Sequence, residues 1–521
     1  MQRDSLDSTV KAERFSHFAG ALGLGLVIFF AAVFLLFRPY SVPGPMMRDF
    51  EAYYAAGATW AAGGDPYSTQ IWTVEKTIPG VDAARTEVLP FLGPPISLPF
   101  WAILARFPFE IAAKLWGAIL GVAVLVIFLG SFTLAGRKIR WSDAPIIVAL
   151  AAAFSPLSYG FSLGQSALVA IAMVIAALWL LRDGRWPWSA LASFGALVLK
   201  PNVSFALLGL LRSRRGFVSL AAACGAFVVT NLIVAGGPDE IGRYARALRG
   251  HTSAERFSFL QITPASILFG FGIPAPAAAA LGVVCALIAV AVLAIVVYRT
   301  RARELESAAL ACAVLPLVSP FLHVHDLIVV FLPAMLCLHR ARGWAWVAGA
   351  IGTVIVATDW VAMTQGKIGG VYDFLVALIV GLEIVALAPA VPLRLRLAPF
   401  VVALCILPIW AAAPSQAVGL WPDGLPRGFT VSLNQPVSAV WEAEQVAAGL
   451  ERVDPFAAFV RSLSLAGSVL VWGSLAATLA GYPRTAPLRD GVPTSVPSDV
   501  TAQLRPKGRE RKTRVATQVD G

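Results

Sequence analysis

The stretch of residues 46–67, "MMRDFEAYYAAGATWAAGGDPY", places a carboxylate at the head of a segment that has one apolar face. The residues of that face recur at helical spacing, and they are Phe50, Tyr53, Tyr54, Gly57 and Trp60. Asp49 precedes them at the expected N-cap position, where an aspartate stabilises a helix by about 1 kcal/mol, so we predict that Asp49 caps this helix. A carboxylate held there could also take a proton from a hydroxyl. Glu51 is a rival base, but it falls on the opposite helical face.

The end of this stretch predicts a turn. Gly63 and Gly64 should end the helix before the turn-forming pair Asp65-Pro66. Tyr53, Asp65 and Tyr67 are therefore candidates either for contact with a hydroxyl-bearing acceptor or for support of the segment that carries Asp49.

A second candidate is the short turn "SPFLHVHDL", which places His323, His325 and Asp326 between two apolar runs. An ionisable group inside a bilayer costs about 2.5 to 3.5 kcal/mol, so three in one turn favour a cavity or a polar ligand. A solvated loop is the simpler interpretation. A metal site is a further one, although the sequence does not locate a fourth ligand.

Two more polar residues interrupt apolar runs. Gln165 follows Gly164 at the start of a run, where its amide could bond a sugar or phosphate oxygen or could act as an ordinary cap. Lys200 precedes Pro201 in the middle of a run, and a buried lysine there needs an anionic partner, either a lipid phosphate or a neighbouring carboxylate.

The elements that must position these residues are apolar helices. Of the 521 residues 58% are hydrophobic and only 14% are charged, and the mean hydropathy of +0.74 excludes a soluble protein. We predict an all-α polytopic membrane protein in which the first apolar run, residues 17–37, is a retained span and not a signal peptide. The five cysteines lie inside apolar runs without metal-type spacing, which predicts ordinary core residues.

The net charge of +11 comes from basic clusters at the ends of apolar runs, which is a topology signal and not a nucleic-acid footprint. The clusters are Arg137, Lys138 and Arg140; Arg182 and Arg185; Arg212, Arg214 and Arg215; Arg299, Arg301 and Arg303; Arg340 and Arg342; and Arg394 and Arg396. The positive-inside rule places them in the cytoplasm and places the short loops 160–164, 320–326 and 363–371 outside.

This orientation predicts twelve crossings with both termini in the cytoplasm. The crossings are residues 17–37, 109–135, 144–159, 165–181, 216–235, 275–298, 306–319, 327–339, 344–362, 372–391, 397–412 and 461–481. Residues 188–211 lie between two basic clusters and are broken at Lys200-Pro201, so we predict a re-entrant pair of half-helices there.

The remaining segments are loops and termini. Residues 1–16 are a cytoplasmic N-terminus, and residues 482–521 are a polar, basic tail that we predict to be disordered in the cytoplasm. The long outer loops 38–88, 236–272 and 413–460 contain aromatic and helix-compatible patterns, which favour ordered elements at the membrane interface. We find neither a P-loop nor a Gly-rich dinucleotide fingerprint, so the sequence gives no sign of a nucleotide site.

Taken in order, the motifs resemble those of a known family. They are the aspartate before "FEAYYAA", "GGDPY", a Pro-Pro segment, "GQ" opening a span, "LKP", and "SPFLHVHDL" before another span. This order, from about residue 17 to 412, resembles glycosyltransferase family 87, which comprises membrane mannosyltransferase-like proteins of the C-type glycosyltransferase superfamily.

The resemblance implies an inverting transfer of a mannose-like hexose from a polyprenyl-phosphate donor to a hydroxyl of a lipid or glycan. It implies a catalytic module over residues 17–412, in the cytoplasmic membrane, with its active site facing outwards. Asp49 matches the family's general base, and His323, His325 and Asp326 match the region near the donor phosphate. Which histidine meets the phosphate is left open, as is a divalent metal. The loop 413–460 matches no feature of the family.

Two other functions fit a polytopic protein. A transporter or flippase of a lipid-linked sugar would use a broken helix such as the one at Lys200, but its polar groups should lie near the midplane in both halves. Asp49, Gln165 and the turn from His323 to Asp326 instead fall at one predicted face. A non-catalytic subunit of an envelope-assembly complex is the other alternative.

Overall fold

The computed structural model describes residues 19–27, 47–364, 366–388, 390–414, 421 and 424–481. Within these ranges the regular elements are helices, and the only β contacts are isolated bridges. The all-α prediction is therefore confirmed. The predicted N-terminus 1–16, the larger part of the first predicted crossing and the tail 482–521 lie outside the described residues.

The first half of the chain forms helices of very different lengths. They are α1 (residues 19–27, as far as described), α2 (Phe50–Ala61), α3 (Trp72–Glu75), α4 (Leu98–Leu104), α5 (Phe109–Ala135), α6 (Ala144–Ala153), α7 (Ser155–Leu163), α8 (Ala167–Arg182), α9 (Trp186–Leu199), α10 (Arg214–Ala235) and α11 (Pro238–Ala254).

The second half continues the same pattern. Its helices are α12 (Pro264–Gly270), α13 (Ala275–Thr300), α14 (Glu304–Val318), α15 (Phe331–Arg340), α16 (Gly343–Ala357), α17 (Trp360–Thr364), α18 (Lys367–Leu387), α19 (Leu393–Arg396), α20 (Ala398–Ala412), α21 (Val437–Ala447) and α22 (Pro455–Gly481). Short 3₁₀ helices connect them at Thr69–Ile71, Pro95–Ser97, Trp141–Asp143, Val203–Arg212 and Val324–Val330.

Six helices of the described chain are long and apolar enough to cross a membrane. They are Phe109–Ala135, Arg214–Ala235, Ala275–Thr300, Gly369–Leu387, Leu393–Ala412 and Pro455–Gly481. The pair α6 and α7, bent by 68°, would make a seventh. The protein is thus a multi-pass membrane protein, but the predicted count of twelve crossings is not confirmed. Other predicted crossings are shorter apolar helices, such as the 16-residue α8.

The predicted break at Lys200 is present. Helix α9 ends at Leu199, and Lys200 has φ −155° and ψ 88°, an extended conformation that a following proline favours. The chain then continues as a 3₁₀ helix from Val203 to Arg212, where the prediction had a second half-helix. This 3₁₀ helix packs against α14, while α9 packs between α8 and α10. Whether the pair re-enters the membrane stays a prediction.

The basic clusters meet at one end of the helices. Their guanidinium groups donate to carbonyl oxygens of neighbouring helix ends: Arg137 to Leu387 at 2.8 Å, Arg182 to Thr133 at 3.2 Å, Arg340 to Leu134 at 3.1 Å and Arg212 to Ala302 at 3.1 Å. Helix α8 runs from Ala167, beside Gln165, to Arg182, a distance of about 24 Å at 1.5 Å per residue. The polar candidate Gln165 and the basic clusters therefore lie at opposite ends of α8.

Helix α2 forms where the spacing predicted it and ends before Gly63, which has φ +80°. The helix packs closely on α4 at Gly57, because a Cβ there would lie 2.4 Å from the carbonyl carbon of Trp101. Phe50 is fully buried and its ring stacks on Trp116 with centroids 6.2 Å apart. These contacts fix the direction in which the start of α2 points.

The three long predicted outer loops are ordered where described, and they bond to one another. The amide of Thr86 donates to the carbonyl of Phe429 at 2.9 Å, and the amide of Phe259 donates to Leu450 at 2.8 Å. Helix α21 packs against α11. Residues from segments far apart in the sequence thereby form one layer, which lies over the cavity described next.

Candidate active site

A cavity of about 390 Å³ is lined by residues of this layer and by residues at the ends of neighbouring helices. Six of the predicted site residues line it, and they are Asp49, Tyr53, Gln165, Lys200, His323 and His325. Asp326 lies directly behind them, fully buried, in contact with Lys200. The fold thus brings together polar residues from four separate segments of the chain.

Asp49 lies at the start of α2 but does not cap it, so the prediction of a helix cap is wrong. Its backbone has φ −78° and ψ −17°, a helical conformation, whereas a capping side chain needs an extended one. The residue is held instead by its own amide, which donates to the carbonyl of Leu163 at 2.8 Å. Its carboxylate is left free to accept a hydrogen bond from the side-chain amide of Gln165.

The surroundings of Asp49 make it a better base than an ordinary aspartate. Burial raises the pKa of its carboxyl above the usual range. The hydrogen bond from Gln165 and the positive charges of His323 and Lys200 oppose this effect without cancelling it. A carboxylate with a raised pKa binds a proton more strongly, which is the property that a general base requires.

Gln165 joins the two charged parts of the cavity. Its amide nitrogen donates to Asp49, and its amide oxygen lies 3.4 Å from the ammonium of Lys200 and 3.4 Å from the hydroxyl of Tyr53. The cap position of α8 belongs to Ser166, so the interpretation of Gln165 as an ordinary cap is wrong. The preceding Gly164 has φ +77°, and this turn aims Gln165 into the cavity.

Lys200 forms an ion pair with Asp326, with 2.6 Å between Nζ and Oδ1. Of its two predicted kinds of partner, lipid phosphate or carboxylate, the structure thus shows a carboxylate. Asp326 also accepts from the backbone amide of His323 at 3.2 Å. Burial alone would raise the pKa of Asp326, but Lys200 and the neighbouring histidines outweigh it and hold this pKa well below its ordinary value.

The two histidines are stacked, with ring centroids 5.3 Å apart, but their pKa values are shifted in opposite directions. Burial lowers the pKa of His325 to about 3, so it is neutral at pH 7. Its ring nitrogens have no hydrogen-bond partner among the described residues. Burial would also lower the pKa of His323, but the hydrogen bond and the charge of Glu255 outweigh burial and raise this pKa. Because His325 and Asp326 are buried, the solvated-loop interpretation is wrong for them.

The turn could also hold a cation. One ligand atom from each of His323, His325 and Asp326 lies within 4.8 Å of the others. The carboxylate of Asp326 already contacts the Lys200 ammonium, however, and a metal ion would have to displace it. An anion such as a phosphate fits the same group without that conflict, since Lys200 and His323 are both donors. A divalent metal stays open.

Of the three remaining predicted residues, one lines this cavity and two do not. Tyr53 lines the cavity, and its ring stacks on Trp101 with centroids 4.6 Å apart. Asp65 and Tyr67 line a separate cavity of about 260 Å³. Asp65 accepts from the amide of Tyr67 at 2.9 Å, and the Tyr67 hydroxyl donates to Gly93, a residue of the first cavity, at 2.8 Å. Asp65 and Tyr67 therefore support the wall of the first cavity without lining it.

The rival base Glu51 is on the far side of α2, as predicted. It is fully buried, lies 3.4 Å from Arg48, and does not line the cavity. Burial raises the pKa of Glu51 to about 8. A carboxylate that cannot reach the cavity cannot take a proton from a ligand in it, so Asp49 is the better candidate for a base.

Sequence reasoning missed a group of residues behind His323. They are His251, Glu255, Gln261 and Trp441, and all four are buried. The one signal that could have indicated them is the i, i+4 spacing of His251 and Glu255 at the end of α11, which places both on one helical face. Gln261 and Trp441 had no such signal, because their contacts join distant segments.

The family model for Glycosyltransferase family 87 matches residues 91–320 of the chain. This segment contains Gln165, Lys200 and Glu255, whereas Asp49 precedes it and His323 follows it. None of the curated proteins and none of the solved structures compared with the chain matches it. The match shows that residues 91–320 are similar to glycosyltransferase family 87.

Proposed function

We propose that this membrane glycosyltransferase moves a hexose, mannose-like, from a polyprenyl-phosphate donor to a hydroxyl of a lipid or glycan, with inversion at the anomeric carbon. One observation carries the proposal. Gln165 contacts both Asp49 and Lys200, and so joins a basic carboxylate to a cationic group across one cavity. An inverting transfer needs these two functions on either side of the sugar.

On one side of the cavity, Asp49 is the general base. It accepts the proton of the attacking hydroxyl as the new glycosidic bond forms. The neutral amide of Gln165 orients the carboxylate and separates it from Lys200. A direct ion pair would lower the pKa of Asp49 and weaken it as a base, so the separation favours catalysis.

On the other side, Lys200, His323 and His325 stabilise the departing phosphate. The bond between the anomeric carbon and the phosphate oxygen breaks, and its electron pair leaves as phosphate charge. Lys200 and His323 supply positive charge, and the unpartnered ring of His325 supplies a hydrogen bond. Such preorganised donors act strongly in a cavity that is shielded from water.

The site faces the outside of the cytoplasmic membrane in this proposal. The basic clusters meet at the far ends of the helices, and the positive-inside rule assigns those ends to the cytoplasm. A donor linked to a lipid would reach the cavity from the bilayer. That route explains why a transferase would be built from apolar helices.

The decisive experiment uses the full chain in proteoliposomes with farnesyl-phosphate-linked mannose or glucose, each labelled in the sugar, and a lipid extract as acceptor. We expect label to move into a new glycolipid whose anomeric configuration, read by NMR, is opposite to that of the donor. Retention of configuration would contradict the proposal. Movement of intact donor across the bilayer without any transfer would support a flippase instead.

A further inference from the structure

Glu255 is a buried carboxylate that the proposed reaction does not use, yet it is surrounded by donors. It follows the last residue of α11 and is 4% exposed. One oxygen, Oε1, accepts from the indole of Trp441 at 2.7 Å. The other, Oε2, accepts from the amide of Gln261 at 2.6 Å and lies 3.2 Å from Nε2 of His323.

Of the two histidines that lie beside Glu255 among the described residues, His323 is the one whose pKa is raised. His251 lies 3.5 Å away, but burial lowers the pKa of His251 to about 4. Burial would also raise the pKa of Glu255, yet the two histidines and the indole hold it well below its ordinary value. Glu255 is therefore ionised, and its charge favours a proton on His323.

Two contacts of Gln261 orient the pair formed by Glu255 and His323. The amide oxygen of Gln261 accepts from the backbone of Leu322 at 2.8 Å, which orients its nitrogen towards Glu255. The same nitrogen lies 3.1 Å from Nε2 of His323, so two donors converge on one carboxylate oxygen. His323 also lines the cavity, so the ring that Glu255 holds can contact a ligand there.

Trp441 connects this pair to a segment outside the family match. It belongs to α21, which packs on α11, and its ring stacks on His251 with centroids 5.7 Å apart. Trp421, from the same part of the chain, contacts Trp441 at 4.9 Å and places its ring 4.7 Å from the guanidinium of Arg48, a lining residue beside Asp49. The segment therefore reaches both ends of the cavity.

We propose that Glu255 is a positioning residue, which keeps His323 protonated and turned towards the donor phosphate, and that Trp441 holds Glu255 in place. The inference rests on the proposed function, because it assumes that His323 meets the phosphate. The titratable and charged groups that surround the His323 ring are Asp49, Lys200, His251, Glu255, His325 and Asp326.

The test is the pH dependence of binding for farnesyl methyl phosphate, a phosphodiester that keeps a single negative charge from pH 5 to 9. Titration calorimetry on the purified full chain should show binding that weakens as pH rises and His323 loses its proton. In Glu255→Gln the midpoint should move down by about one to two pH units. At pH 7 affinity should fall about tenfold, while at pH 5 it should match the wild type.

A second variant guards against misfolding. Trp441→Phe keeps the stacked ring but removes the donor to Glu255. We expect a smaller shift of the midpoint in the same direction. Monodisperse elution and an unchanged melting curve qualify each variant for the comparison. Loss of affinity that is equal at every pH, or an unmoved midpoint in both variants, would overturn the inference.

The variant His323→Gln separates this inference from the proposed function. It should bind weakly with no midpoint in this range, and adding Glu255→Gln to it should change nothing further. If His323→Gln binds as the wild type does, the phosphate role of His323 fails. If binding to His323→Gln no longer depends on pH while binding to Glu255→Gln keeps the wild-type midpoint, the phosphate role of His323 stands. Only the role of Glu255 is then contradicted.

Discussion

Asp49 and Asp326 are two carboxylates of one hydrogen-bonded network, yet their pKa values are shifted in opposite directions. Asp49 accepts from the neutral amide of Gln165, and burial raises its pKa. Asp326 accepts from the ammonium of Lys200 at 2.6 Å, and its pKa lies well below the ordinary value. The difference in partner separates a carboxylate that can take up a proton from one that stays ionised.

This difference explains why Gln165 occupies its position. If the amide were absent, the Lys200 ammonium could approach both carboxylates and neutralise the base. With Gln165 between them, Lys200 pairs with Asp326 and remains available to a phosphate, while Asp49 keeps its affinity for a proton. The structure thus places a carboxylate with a raised pKa and a cationic group side by side without direct contact.

The largest effect is expected from Lys200→Met, which removes the cation from the buried Asp326. An uncompensated buried charge costs about 3–5 kcal/mol, so the free energy of unfolding should fall and transfer should be lost. Adding Asp326→Asn should restore much of the melting temperature, measured by differential scanning fluorimetry in detergent, but not the transfer. A single Lys200→Met variant as stable as the wild type would show that the ion pair is not what holds Asp326.

The next effect concerns Gln165. In Gln165→Leu the carboxylate of Asp49 loses its orienting donor and its separation from Lys200, so turnover should fall about 10²-fold, within the range for a misplaced base. Gln165→Asn, which keeps the amide on a shorter side chain, should retain more turnover than Gln165→Leu. Equal turnover in the two variants would indicate that the amide itself has no role.

The pH profile of transfer should be bell-shaped. As pH falls through the raised pKa of Asp49, the base becomes protonated and turnover declines. As pH rises through the raised pKa of His323, the cation is lost and donor affinity declines. Initial rates from pH 4 to 10 at saturating donor should therefore show the acid limb, and rates at low donor should show both. A flat profile would contradict both assignments.

The smallest effect is that of Asp49 on stability, where the two carboxylates should differ in sign. The folded-state pKa of Asp49 is raised, so its ionised form destabilises the fold at neutral pH, and Asp49→Asn should raise the melting temperature by about 2 °C. The pKa of Asp326 is lowered, so its ionised form contributes stability above its unfolded pKa, and that stability is lost as pH falls. Asp326→Asn should therefore melt at a lower temperature at pH 7 and approach the wild type in acid.

The sequence predicted that Asp49, Gln165 and the turn from His323 to Asp326 lie together, because all three fall at the same predicted face. It did not predict their partners. Local spacing made Asp49 a helix cap, whereas its carboxylate bonds to Gln165, 116 residues away, and no local rule reaches that far. Glu255 and Trp441 were missed for the same reason, since they are 186 residues apart.

The number of membrane crossings also could not be predicted from local sequence patterns. Apolarity marks a segment as buried, but it does not distinguish burial in lipid from burial among neighbouring helices. Helix α8, for example, has 16 residues and lies against α5 and α9, and most of its side chains are buried inside the protein. By length it falls below the six described spans, although its sequence is as apolar as theirs.

The measurement that tests the account most directly is turnover of Asp49→Asn in proteoliposomes, with Asp82→Asn as the matched control, because the Asp82 carboxylate does not line the cavity. The account predicts that Asp49→Asn inserts, binds farnesyl methyl phosphate as the wild type does, and loses transfer by about 10²-fold to 10⁴-fold, while Asp82→Asn keeps it. Turnover in Asp49→Asn equal to that of the control would contradict the account, because a base on this side of the cavity would then be unnecessary.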